Sequence, residues 1–163
     1  MKNLINIFIL FAFSFSSVAM AKWNNTSDLQ QIKQRIKKDF DNKLVLACYT
    51  EPCFISGDFD GDNKFDTAVL VNIRSNKKRG IAFLHADGKS IIVGPGNPIG
   101  NGGDDYYWMD FWSLYKRKEV PQGASDIPPP KLKGDALLVA KKQSASAIIY
   151  WDGSSYQWYQ QGD

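Results

Sequence analysis

The hydrophobic residues of this chain change rhythm twice. Up to Met20 they run almost unbroken, with Phe8, Ile9, Leu10, Phe11 and Phe13 at the centre. Leu29, Ile32, Ile36 and Phe40 then recur every three or four positions among polar and basic residues. That spacing gives one apolar stripe on a helix. Ser27-Asp28-Leu29-Gln30 reads as its capping box, with Ser27 as N-cap and Gln30 reaching back, and the helix ends near Asp41-Asn42. Beyond it, short runs rich in β-branched and aromatic residues predict strands at 44–49, 54–57, 67–73, 80–86, 90–93, 107–115, 136–141, 147–151 and 156–160. Turn chemistry separates several of them: Ser75-Asn76-Lys77-Lys78, Asp87-Gly88-Lys89 and Asp152-Gly153-Ser154-Ser155. The expected fold is mainly β (α+β): an antiparallel β meander, as a small barrel or sandwich, with one N-terminal helix. Two longer connections interrupt it, 94–105 and 121–133. The second contains Pro128-Pro129-Pro130, which cannot join a central ladder.

The first apolar run is short for a membrane span and is broken by Asn6 and several serines. Lys2 precedes it, and Ala19-Met20-Ala21 forms a small-x-small site. Residues 1–21 therefore read as a secretory signal peptide cut after Ala21, with the protein exported to the periplasm or secreted. Residues 22–163 are long enough for one domain with a real core. No membrane span is expected once the signal is removed.

Removing residues 1–21 takes away Lys2 and no acid, so the formal charge falls from +3 to +2. Such a balance points to neither nucleic acid nor a strongly anionic membrane as a partner. Cys48 and Cys53 are the two cysteines, and in an oxidising compartment they are expected to pair. So short a loop gains only about 2 kcal/mol from closure. The pairing matters more for fixing the chain ahead of an acidic segment.

That segment is Gly57-Asp58-Phe59-Asp60-Gly61-Asp62-Asn63-Lys64-Phe65-Asp66. Its carboxylates fall at positions 1, 3, 5 and 9 of a loop between two strands. Hard oxygen ligands in a tight turn suit calcium, with Asp58, Asp60, Asp62 and Asp66 as side-chain ligands and Lys64 offering its backbone carbonyl. The loop is shorter than an EF-hand and has Val69 where that motif needs Glu. Together with Thr67-Ala68-Val69-Leu70, it resembles the strand–loop–strand calcium loops of FG-GAP and VCBS-type repeats, including those of integrin-like propellers. The resemblance covers about fifteen residues and implies a bound Ca²⁺. It departs from the pattern at Asn63, where those loops usually carry Gly, and Asn is a residue that tolerates left-handed backbone. No internal repeat of fixed period accompanies it, which argues against a complete propeller. The stretches from Gly102 to Trp112 and from Ala147 to Trp158 also resemble small exported bacterial proteins of unassigned role.

Other candidates are less specific. Asp104, Asp105 and Asp110 stand beside Trp108 and Trp112, and offer either a ligand or partner surface or a carboxylate pair for glycoside hydrolysis. Alternation would place Trp108, Asp110 and Trp112 on one face of a strand. Tyr150, Trp151, Tyr156, Trp158 and Tyr159 form a second aromatic group, either cross-strand core pairs or a stacking surface. His85 lies alone in an apolar run, with no second His for a zinc site and no Ser elbow for a triad. With no recognisable catalytic set, the expectation is a non-enzymatic, exported, calcium-binding module. It would act on an envelope or toxin protein, in the manner of an inhibitor or immunity protein. The alternatives are a glycan-directed hydrolase using Asp104, Asp105 or Asp110, and a carbohydrate-binding envelope protein.

Overall fold

The computed structural model describes residues 25–124 and 126–162. The proposed signal peptide and its cleavage site lie outside them. Among the described residues, one α-helix, α1 (Asn25–Asp39), precedes nine strands: β1 (Leu44–Leu46), β2 (Phe54–Gly57), β3 (Asp66–Ile73), β4 (Arg79–Leu84), β5 (Ser90–Val93), β6 (Phe111–Tyr115), β7 (Ala136–Lys141), β8 (Ala145–Trp151) and β9 (Tyr156–Gly162). Among the described residues, no helix is long and apolar enough to cross a membrane.

The strands form two antiparallel sheets. In the first the order is β1-β3-β4-β5, with β2 also paired to β3; in the second it is β6-β7-β8-β9. β1 and β2 share one edge of β3, opposite residues 71–73 and 66–69 respectively. The Cys48–Cys53 disulfide closes the excursion between them, with S–S 2.07 Å. Period-2 alternation then assigns the faces. Ala68, Leu70, Ile81 and Phe83 from the first sheet meet Trp112, Leu137, Val139, Ala147 and Ile149 from the second in one buried core. The opposite face of the first sheet, with Val69, Val71, Ala82 and Leu84, receives Ile32 and Ile36 of α1. β3 is thus buried on both sides, which explains its continuous run of apolar residues. On the outer face of the second sheet, Ala136, Ile148 and Tyr159 pack with Val120 and with Leu132 of the proline-rich connection. The two sheets stack as a sandwich and do not close into a barrel.

Three local expectations need correcting. The helix starts at Asn25, so Ser27 lies in its first turn and is not the N-cap. The first strand stops at Leu46, short of the cysteine loop. The strand expected at 107–115 begins only at Phe111, because Tyr106–Trp108 forms a 3₁₀ turn. Asp105 causes this: its Oδ1 accepts from the Tyr107 N–H at 3.1 Å and the Arg79 N–H at 2.9 Å. A side chain that satisfies backbone donors locally competes with the ladder.

The two sheets also share a plan. Asp66 leads into β3 and Asp135 precedes β7. Asp87-Gly88 turns β4 into β5, and Asp152-Gly153 turns β8 into β9. Both turn glycines have positive φ, 96° and 112°. The connections between these elements differ in length, so the similarity has no fixed period.

Candidate metal centre and the acidic loop

The loop from Asp58 to Asp66 leaves β2 and enters β3, and its backbone is organised by its own carboxylates. Asp58 accepts from the Gly61 N–H at 2.8 Å and the Asn63 N–H at 3.2 Å. Asp60 accepts from Asp62 N at 3.1 Å, and Asp62 from Lys64 N at 2.8 Å. Asn63 has φ 66°, the left-handed conformation that Gly would otherwise supply. One carboxylate oxygen from each of Asp58, Asp60 and Asp62 lies within 4.8 Å of the other two. Three anions at that separation repel unless a cation stands among them. Lys64 answers part of this with its ammonium, 3.0 Å from Asp62. That hydrogen bond holds the Asp62 carboxyl below the usual range and lifts the Lys64 pKa.

Asp66 is placed differently from the other three. It is buried, and Oδ2 accepts from the Phe59 and Asp60 N–H groups at 2.9 and 3.3 Å. Its Oδ1 accepts from the Ala86 N–H at 2.8 Å. It shares a second cluster with Asp60 and His85. His85 Nδ1 is 3.0 Å from Asp60 and 3.5 Å from Asp66, and Nε2 is 3.0 Å from the Tyr156 hydroxyl. Burial works against a charged His85, but hydrogen bonds and attraction from Asp66 and Asp60 outweigh it and raise its pKa. Burial also opposes the Asp66 charge, and the bonds from His85, Ala86 and Phe59 more than compensate, lowering that pKa. Tyr156 is pushed upward, chiefly by burial. The expected four-carboxylate set thus divides. Asp58, Asp60 and Asp62 converge as one group of donors, while Asp66 anchors the base of the loop.

The same loop joins the two sheets. Phe59 is fully buried and packs edge-on against Phe83, with centroids 5.3 Å apart. The Asp58 carbonyl accepts from the Asp135 N–H at 2.6 Å, and the Asp58 N–H donates to the Asp135 carboxylate at 3.2 Å. Asp135 also accepts from Arg117 N at 2.9 Å and Lys116 Nζ at 3.1 Å. A Cβ on Gly134 would stand 2.3 Å from the Asp58 carbonyl oxygen, so the close approach requires glycine there. His85 follows β4 and Tyr156 opens β9, so their contact is a second tie between the sheets.

The other candidates have separate, structural partners. Asp104 pairs with Lys78, and Asp105 holds the backbone of residues 79 and 107. Asp110 accepts from Lys142 N at 2.9 Å. Trp112 is buried in the core, with its indole N–H on the Pro52 carbonyl at 2.7 Å. Trp108 is half-buried and its indole N–H bonds to the Gly102 carbonyl at 3.0 Å. Sequence reasoning set His85 aside as a lone histidine, placed Tyr156 only in an aromatic group, and missed Gly134 and Asp135. The signal available for Asp135 was its place before an apolar run, as Asp66 stands before β3. Nothing local marked Tyr156 as a partner of His85.

Fold and site together define a class: a helix-backed antiparallel β-sandwich whose sheets are joined by a carboxylate loop. Comparison with protein-family models, curated proteins and solved structures finds no match to this chain.

Proposed function

We propose that this protein is an exported, non-enzymatic binding module whose two sheets are fastened by a calcium ion in the loop 58–66. The observation that carries the reading is the convergence of Asp58, Asp60 and Asp62 within 4.8 Å, in a loop bonded to Asp135 of the second sheet. These are hard oxygen donors, and water can complete the six to eight oxygens that calcium takes. Lys64 Nζ would leave Asp62 as the ion enters. The likeness of the loop to FG-GAP and VCBS-type calcium loops favours the same ion. Asp66 would support the loop through its three backbone N–H bonds rather than close the shell as a bidentate ligand.

Export is supported by residues 1–21 and by the Cys48–Cys53 disulfide. The partner of such a module would be an envelope or toxin protein, or a glycan. The hydrolase alternative has less support, since Asp104, Asp105 and Asp110 hold Lys78, two backbone N–H groups and Lys142 N respectively. Calorimetric titration of CaCl₂ into chelator-treated protein 22–163 tests the metal. One saturable site is expected, weak in the manner of extracellular modules, with Kd on the order of 10⁻⁴–10⁻³ M. Asp60→Ala should abolish the heat. A wild type that gives no heat contradicts the proposal.

A further inference from the structure

At the opposite end of β7 from Asp135, roughly 20 Å along the strand, lies a cavity of about 300 Å³ lined by Asn101, Trp108, Lys141, Ser146, Trp158 and Gln160. Its size is at the lower end of small-molecule sites, about 300–1,000 Å³. Trp108 and Trp158 form a corner, with their rings 5.9 Å apart and inclined at 80°. Both indole N–H groups are engaged, Trp108 with the Gly102 carbonyl and Trp158 with Gln160 Oε1 at 2.9 Å. With those donors engaged, what the two rings present to the cavity is apolar carbon surface. Gly100 and Gly102 hold this corner in place. A Cβ at either would come within 2.7 Å of the Trp158 ring, so the loop lies directly on the indole.

Around these rings stand polar groups that the fold leaves open. The Asn101 amide, the Lys141 ammonium and the Ser146 hydroxyl have no hydrogen-bond or ion-pair partner among the described residues. A ligand that fits must combine an apolar face for stacking, several hydroxyls and a negative charge. A pyranose presents C–H groups on its faces and hydroxyls at its rim. A carboxylate on the ring would meet Lys141.

We propose that the Trp108/Trp158 corner binds an acidic saccharide, with the indoles stacking on the sugar and Lys141 selecting its carboxylate. The inference rests on reading the chain as a binding module, but not on the calcium ion. Tryptophan fluorescence would follow titration with tri-galacturonate and with its neutral methyl ester, in calcium and in chelator. Saturable binding of the acid is expected in both conditions, with the ester weaker by about tenfold, as for loss of one charge-assisted contact. Lys141→Gln should weaken the acid to the level of the ester and leave the ester unchanged. Trp108→Leu should weaken both, and melting curves of each variant would establish that it is folded. No saturable binding of either sugar overturns the site. Equal affinity of the two in wild type, or a preference that survives in Lys141→Gln, overturns the role of Lys141 and with it the acidic ligand. Calcium heats measured on the same samples separate failure of this site from failure of the metal loop.

Discussion

His85 meets two carboxylates on one ring nitrogen and a tyrosine hydroxyl on the other, all in a buried setting. Tyr156→Phe removes one oxygen and leaves Nε2 without its partner. An unsatisfied buried polar group costs about 1–3 kcal/mol, so the urea midpoint should fall by that equivalent with an unchanged m-value. Asp152 gives a cleaner pH signal because it is far simpler. The Ser155 and Ser154 N–H groups hold its carboxyl down to about 2, from an ordinary 3.8. A depressed folded pKa contributes stability that is present above the unfolded value and lost as pH falls through the folded one. Asp152→Asn should therefore melt earlier than wild type at pH 7, with the difference fading between pH 4 and pH 2. A gap that persists at pH 2 would show the effect to be steric.

The strands were legible in the sequence where a short apolar run is bounded by polar or turn residues, as in β3, β5 and β7. Tyr107 and Trp108 were misread because aromatic residues suggest a strand, while Asp105 supplies the competing bonds that make a 3₁₀ turn. The convergence of Asp58, Asp60 and Asp62 was legible because their spacing is local, whereas the separate place of Asp66 was not. Nor was the loop's attachment to β7, since Gly134 and Asp135 meet Asp58 across more than seventy residues of chain. The Gly134 position is where that attachment can be broken selectively. Gly134→Ala forces a Cβ against the Asp58 carbonyl and should destabilise the fold by about 1–3 kcal/mol through overpacking. Calcium affinity should fall with it, because the loop that displays Asp58 must shift. A variant that loses stability yet binds calcium like wild type would show the donor group to be independent of the contact.

At the scale of the molecule, the loop stands at a junction between two sheets that otherwise meet through an apolar core. Phe59 enters that core, Asp58 bonds to Asp135, and the Asp60–His85–Tyr156 chain reaches β9. A cation that fixes Asp58, Asp60 and Asp62 would stabilise both sheets at once. Ligand linkage at 10 mM calcium and a Kd of 10⁻⁴–10⁻³ M gives about 1.4–2.7 kcal/mol, a rise in melting temperature of roughly 5–10 °C. The extent of that stabilisation through the fold can be read residue by residue. Amide hydrogen exchange on chelated and calcium-loaded protein measures it most directly. Calcium should slow exchange at Gly61 and Asn63 in the loop and equally at the Asp135 amide and along β7. Slowing confined to the loop, or none at all, would contradict the account of the loop as the fastener between the sheets.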